Sequence, residues 1–136
     1  HESTNDSWSG GAENHQPETE GDWSVRKGAA MRAYREWLPV SDEPWARYDI
    51  GDLASLFRLE TRLTARSQPP ALADLLKGAT NREDMLARLK GYRSGAYTDP
   101  ARTMMGEAQE RWLAEGLKES RRSGRTWQVL AQQVIM

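Results

Sequence analysis

The clearest periodic pattern in the chain lies between residues 106 and 122, where apolar side chains recur at helical spacing. These positions form one stripe: Met105, Ala108, Trp112, Leu113, Gly116 and Leu117. The stripe predicts an amphipathic helix from Gly106 to Arg122 that faces the core. Ser123-Gly124 ends this helix, and the apolar, β-branched run from Thr126 to Met136 predicts a buried strand after it. A helix joined by a short turn to a buried strand is half of an α/β layer unit.

Residues 1–28 show neither a helical nor a strand period. Glycine, proline, asparagine and serine interrupt the segment repeatedly, which predicts a long irregular loop. Trp8 and Trp23 are large apolar residues for a free linker, so we expect this loop to pack against the rest of the molecule. A helix is predicted over residues 29–38, because Pro39 cannot continue it.

The middle of the chain contains one ambiguous element. The turn-prone pair Gly51-Asp52 separates residues 47–50 from residues 53–61, which is the pattern of a β-hairpin. In a strand, alternate residues would line one face: Leu53, Ser55, Phe57 and Leu59. The same stretch also fits a helix, since a second set of apolar residues recurs at helical spacing: Leu53, Leu56, Phe57 and Leu63. Periodicity alone leaves both structures open.

Beyond the break at Pro69-Pro70, the pattern predicts short helical elements. Helices are expected over residues 72–77 and 82–90, with Asn81 as the N-cap of the second. Residues 91–103 are predicted to form a loop. Trp112 and Trp127 are predicted to be core residues.

Composition narrows the class of protein. A length of 136 residues suits one ordinary domain, and the absence of cysteine excludes a disulfide framework and a thiolate metal site. No apolar run approaches the roughly 20 residues that cross a bilayer. The first 23 residues hold six acidic residues and no Lys or Arg, whereas the remainder holds 14 acidic against 19 basic residues. This modest basic excess could favour a phosphate-bearing substrate, but it is more typical of a solvated surface, and it identifies no specific nucleic-acid reader.

Few residues suggest chemistry directly. Nucleotide-binding glycine loops, nucleophile elbows and paired-histidine helix motifs are absent from the sequence. Residues whose side-chain oxygen or nitrogen atoms can bind hard metals are frequent near the start of the chain: His1, Glu2, Asp6, Glu13 and His15. Their spacing matches no ligand template, so solvated loop polarity is the better interpretation. Copper chelation by the amine and imidazole of His1 is rejected, because the chain lacks cysteine and its pattern is rich in helices.

An ordered set of stretches resembles one enzyme family. Residues 1–8 (HESTNDSW) and 11–15 (GAENH) look like the segment that follows Trp-Asp-Asp in the Asp-Asp-His-Glu motif of PhoD-like phosphatases (alkaline phosphatase D). Residues 33–40 (AYREWLPV) are similar to that family's helix and proline stop. Further matches are GDLA and LETR around the predicted hairpin, then TMMG, QERWL and WQVL in the closing helix and strand. The resemblance spans nearly the whole chain, and it favours the hairpin over the helix.

This resemblance implies a fold and an activity. The fold expected from it is α/β, part of a calcineurin-like αββα sandwich, and the activity is metal-dependent hydrolysis of phosphomonoesters or phosphodiesters. It implies iron and calcium as the metals, with ligands mostly outside this chain. His1 occupies the motif position whose histidine assists the leaving oxygen. A phosphate ester substrate and a periplasmic or secreted location are also implied.

The sequence departs from the family pattern at three places. Glu60 replaces an aspartate, the tyrosine that often follows the arginine is missing at Thr64-Ala65, and Gln132 stands where asparagine is common. Arg62 is predicted to be an ion-pair partner at a strand end, with phosphate as its functional alternative. Whether Arg62 or Gln133 reaches the active site stays open at this point.

Both ends of the sequence suggest an internal piece of a longer enzyme, because His1 is no initiator and residues 126–136 read as core. We therefore expect residues 1–136 to form a partial domain completed by the remainder of the same protein. Within it, residues 1–28 form the loop after the motif, and residues 29–136 form a helix, hairpin, helix and strand. The competing hypothesis is a non-catalytic helical binding module with an aromatic-rich interaction loop.

Overall fold

The computed structural model describes residues 6–134. In this part of the chain, helices are combined with one small sheet. The α-helices are α1 (Pro17–Glu20), α2 (Trp23–Trp37), α3 (Leu72–Leu76), α4 (Arg82–Ser94) and α5 (Gly106–Arg122). The strands are β1 (Ala46–Ile50), β2 (Ala54–Arg58) and β3 (Trp127–Ala131), and a 3-10 turn covers Ala96–Thr98. This mixture agrees with the α/β class.

The sheet has the order β1-β2-β3. β1 and β2 form the antiparallel hairpin around Gly51, which turns with a φ of 54° that favours glycine. β2 and β3 are parallel, and α5 lies between them in sequence, as a parallel connection requires. The hairpin prediction is therefore confirmed, although β2 ends at Arg58 instead of Thr61.

The core lies between the sheet and α5. Phe57, Leu59 and Leu113 are buried there, and Met105, Trp112 and Leu117 pack against them: this set contains most of the predicted stripe. Phe57 and Trp112 meet edge to face with ring centroids 5.8 Å apart. Gly116 is also buried, because Phe57 occupies the space that a side chain would need there. The bounds predicted for α5 are confirmed.

The loop predicted over residues 1–28 is wrong in its second half. α1 and the first six residues of α2 lie there. α2 begins at Trp23 because Asp22 caps it, by accepting a hydrogen bond from Ser24 N at 2.7 Å. The expected packing is confirmed, since Trp23 is buried and its Nε1 donates to Ser9 O at 3.3 Å. Residues 1–5 lie outside the described part.

The loop predicted over residues 91–103 is also too long. α4 continues to Ser94 and the 3-10 turn follows it, since no proline or helix-breaking pair interrupts residues 90–94. Asn81 caps α4 as predicted, by accepting from Asp84 N at 2.9 Å. No helix among residues 6–134 has the length and apolar character that would let it cross a membrane.

Trp127 is not the core residue that the pattern predicts. Its side chain is 61% exposed, and Val129 and Leu130 are also exposed. Within residues 6–134, β3 pairs only with β2, so one edge of β3 has no neighbouring strand in this range. The strand also ends at Ala131, five residues before the predicted end.

Candidate functional site

Several segments meet where β2 and β3 end. The residues after β2 (59–64) and after β3 (132–134) leave the same edge of the sheet, because the two strands are parallel. The segment before β1 joins them there, and α2 lies beside them. Ligands of open α/β sheets bind outside the carboxyl ends of parallel strands. This edge is therefore a candidate binding site.

A cavity of about 380 Å³ lies at this edge. Its volume is within the range of small-molecule sites. The apolar part of its lining comes from α2 and the nearby loops: Met31, Tyr34, Val40, Pro44 and Leu63. The charged part contains three arginines and three acidic residues: Arg35, Arg58, Arg62, Asp42, Glu43 and Glu60. The cavity is thus amphipathic and nearly balanced in charge.

Glu60 shapes the turn that borders the cavity. Its carboxylate accepts hydrogen bonds from the backbone N–H groups of Arg62, Leu63 and Thr64, at 2.9, 2.7 and 2.6 Å. Both carboxylate oxygens take part, and the residue is 7% exposed. Three N–H donors occupy most of the acceptor sites of a carboxylate. Glu60 is therefore a structural residue that fixes the loop carrying Arg62.

Gln109 holds the same loop from α5. Its Oε1 accepts from Glu60 N at 2.8 Å, and its Nε2 donates to Glu60 O at 2.7 Å. Gln109 is fully buried, so these bonds replace water at both polar groups of one peptide residue. Gln133 adds a third tie, because its Oε1 accepts from Thr61 N at 2.9 Å. The polarity of Gln109 inside an apolar stripe was a signal that sequence reasoning missed.

The three arginines of the cavity are positioned by different partners. Arg35 lies 3.1 Å from the carboxylate of Asp42. Arg58 donates from one nitrogen to Ser41 Oγ at 3.0 Å and to Glu43 O at 2.8 Å. The side-chain hydrogen bond from Ser41 lowers the pKa of the Glu43 carboxyl, and the charge of Arg58 lowers it further. These contacts hold Arg58 at the edge of the cavity.

Arg62 forms an ion pair and also borders the cavity. Its Nη1 lies 3.8 Å from Asp6 Oδ1, which also accepts from Arg66 Nη1 at 2.9 Å. The ion pair predicted for Arg62 is therefore confirmed, and the same side chain lines the cavity. Gln133 borders the cavity as well.

The early polar residues that the structure describes do not form a metal cluster. His15 Nε2 lies 3.0 Å from Gly21 O, and its Nδ1 lies 3.2 Å from Arg26 Nη1. Asp6 forms ion pairs with Arg62 and Arg66. Between residues 6 and 134, no three His, Asp or Glu side chains are grouped so that they could hold a metal ion. This part of the chain therefore does not fit iron or calcium by itself, and His1 and Glu2 lie outside it.

The arrangement can bind an anion next to an apolar surface. Arginine side chains provide the positive charge, whereas the backbone N–H groups of residues 60–64 are already bound by Glu60, Gln109 and Gln133, and α2 provides the apolar side. The catalytic residue predicted from the resemblance, His1, lies outside the described residues, so its position relative to this cavity stays a prediction.

Comparison with known proteins gives one match. The family model described as PhoD-like phosphatase matches residues 1–136. Neither the curated proteins nor the solved structures contain a significant match to this chain. Because the family model covers every residue of the sequence, the chain belongs to the PhoD-like phosphatase family.

Proposed function

We propose that this chain is part of a phosphoric ester hydrolase of the alkaline phosphatase and phosphodiesterase D type. The observation that carries the proposal is the family match over the whole chain. The cavity supports it, because its arginines suit the phosphoryl group of an ester and its apolar side suits the esterified alcohol. The same proposal includes a periplasmic or secreted location.

The proposed domain is a calcineurin-like αββα sandwich to which residues 1–136 contribute one part. All-parallel sheets occur almost only where both faces are covered, and β2 and β3 form a parallel pair. Here α5 covers one face, and exposed apolar residues lie on the other: Tyr48, Ile50, Trp127 and Val129. The remainder of the same domain would cover this second face. It would also supply most ligands of the metals, since residues 6–134 contain no group able to hold one.

The role proposed for His1 is protonation or charge stabilisation of the leaving-group oxygen. We expect His1→Ala in the intact enzyme to lower kcat by about 10²-fold or more, because general acid catalysis contributes that much. The loss should shrink for esters with good leaving groups, which need less protonation. The measurement compares 4-nitrophenyl and alkyl phosphate esters, together with the metal content of each variant.

The chain provides its own control, because His15 is its only other histidine. His15→Gln keeps a donor for Gly21 O, so kcat should change little. Loss of metal together with activity in His1→Ala would make His1 a ligand and refute its assigned role. An intact protein that hydrolyses neither class of ester would refute the proposed function and favour the binding module.

Residues 1–136 alone should not catalyse the hydrolysis of phosphate esters. The sequence contains two histidines, and among residues 6–134 no acidic side chains are grouped so that they could hold a metal ion, which is too little for a metal centre and its supporting hydrogen bonds. The assay is hydrolysis of bis(4-nitrophenyl) phosphate by the chain with iron and calcium supplied. Turnover like that of a typical enzyme, abolished by His1→Ala, would contradict the proposal that the remaining parts lie elsewhere.

A further inference from the structure

A second cavity, of about 350 Å³, lies between the segment that follows β2 and the end of α4. It shares no lining residue with the cavity at the carboxyl ends of the strands. Tyr92 from α4 and Tyr97 from the 3-10 turn line it, and their rings meet edge to face with centroids 5.9 Å apart. Pro69 and Pro70 add rigid apolar surface.

The polar side of this cavity is held by hydrogen bonds between two segments. Ser67 N donates to Thr103 O at 2.8 Å, and Thr103 N donates to Ser67 Oγ at 3.0 Å. One residue earlier, Arg102 Nη2 donates to Gln68 O at 2.9 Å. Arg102 is therefore positioned by a neutral carbonyl group. A site whose parts are held before the ligand arrives loses less conformational freedom on binding.

The charge of this cavity has one sign. Among the described residues that line it, Arg66 and Arg102 are charged and none is acidic. Asp6 Oδ1 lies 2.9 Å from Arg66 Nη1, and this ion pair neutralises much of the positive charge of Arg66. The carbonyl partner of Arg102 leaves its positive charge in place. The first cavity, by contrast, has equal numbers of acidic and basic residues in its lining. The guanidinium group of Arg102 is accordingly suited to pair with an anionic ligand.

The aromatic side adds a requirement for shape. Tyr97 is 64% exposed although it is a large ring next to a second ring, so its surface is available to a ligand. Planar rings stack on tyrosine irrespective of their hydrogen-bonding pattern. We propose that this cavity binds a small anion in which a phosphate group is joined to a planar ring, with Arg102 at the phosphate and Tyr97 at the ring. This inference concerns binding alone and is independent of the proposed hydrolysis.

The test is isothermal titration of the 136-residue chain with three probes in a metal-free buffer, so that hydrolysis cannot contribute. Adenosine 5′-monophosphate contains both groups, adenosine contains the ring, and inorganic phosphate contains the anion. We expect the monophosphate to bind most tightly. Tyr97→Ala should weaken its binding by roughly fivefold or more, toward that of phosphate, because stacking is lost. Arg102→Gln should weaken it toward that of adenosine.

Arg111→Gln is the matched control, since Arg111 lies on α5 with its side chain 70% exposed and does not line this cavity. Tyr97→Leu keeps an apolar side chain without the ring and should resemble Tyr97→Ala if stacking matters. Far-UV circular dichroism checks that each variant keeps its helices. Equal binding of the monophosphate and inorganic phosphate, or equal loss in Arg111→Gln and Arg102→Gln, would overturn the proposal.

Discussion

At the residue scale, one buried glutamine links the main helix to the loop that borders the first cavity. Gln109 satisfies both the N–H and the C=O of Glu60, and all of these groups are inaccessible to water. Removing a partner from a buried polar group costs more than the bond itself contributes. The loop that carries Arg62 therefore depends on a side chain in α5.

Gln109→Ala should loosen this loop. Each unsatisfied buried group costs about 1–3 kcal/mol, so exchange of the Glu60 amide hydrogen should accelerate by roughly tenfold or more. Hydrogen exchange followed by NMR measures it. Gln68→Ala is the control, because the Gln68 side chain is exposed and its contact with Arg102 uses backbone oxygen. Equal exchange of the Glu60 amide in both variants would refute the proposed role.

Asp49 is a residue whose titration should affect folding. Its pKa is lowered, first by the hydrogen bond from Arg47 and then by that from Ser55, with further help from the charges of Arg47 and Arg125. A depressed folded-state pKa means that the carboxylate stabilises the fold above the unfolded-state value of about 3.9. This contribution is lost as the pH falls below that value, through the folded-state pKa.

Asp49→Asn should therefore remove part of the loss of stability on acidification. The urea midpoint of the variant should be lower than that of the wild type at pH 7, and the two should converge below about pH 4. Asp52→Asn, at the exposed hairpin turn, is the matched control for the same substitution elsewhere in the hairpin. A constant difference between Asp49→Asn and the wild type would show that no titration is involved.

At the element scale, α5 can approach the sheet only where a side chain is missing. A Cβ atom at Gly116 would lie 2.6 Å from Phe57 Cε1, and Phe57 is fully buried. A methyl group there forces helix and strand apart or Phe57 out of its position. The stripe on α5 is thus shaped by volume as well as by hydrophobicity.

Gly116→Ala should destabilise the chain by about 1–3 kcal/mol, although alanine is the better helix former. Gly28→Ala is the matched control, because Gly28 lies within α2 with no atom near its hypothetical Cβ. That variant should gain about 0.5–1 kcal/mol. Urea midpoints of the two variants decide the question. Stabilisation by both substitutions would show that Phe57 yields easily, contrary to this view of the packing.

At the scale of the whole molecule, the sheet has one covered and one uncovered face in the described residues. The register aligns Ile50, Ala54 and Trp127 in one row and Tyr48, Leu56 and Val129 in the next. Four of these six residues are exposed, with Trp127 at 61% and Ile50 at 55%. Contiguous exposed apolar surface marks an interaction site or an aggregation hazard.

The isolated chain should accordingly be poorly soluble or bind the dye 8-anilinonaphthalene-1-sulfonate. Trp127→Ser should reduce dye fluorescence by about half or more, if this face provides most of the apolar surface. Trp37→Ser is the control, because it removes an exposed tryptophan from α2 and leaves the sheet unchanged. This variant should reduce dye fluorescence less than Trp127→Ser does. A clean monomer that binds no dye and unfolds in one sharp transition would contradict the prediction.

Local sequence determined the elements whose signals are short in range. The stripe on α5, the cap at Asn81 and the turn at Gly51-Asp52 each predict the observed element, because helix periodicity, capping and turn geometry depend on a few adjacent residues. The family could also be predicted from the sequence, because its ordered motifs resemble those of the family whose model matches the chain.

Tertiary structure decided what depends on contacts between distant residues. Gln109 and Glu60 are 49 positions apart, and Arg66 and Asp6 are 60 apart, so no local pattern reveals either pair. Trp127 is exposed because few strands and helices surround β3 in the described residues. The apolar sequence of β3 contains no information about these neighbours. Both cavities arise in the same way, because each is lined by segments that only the packing of the chain brings together.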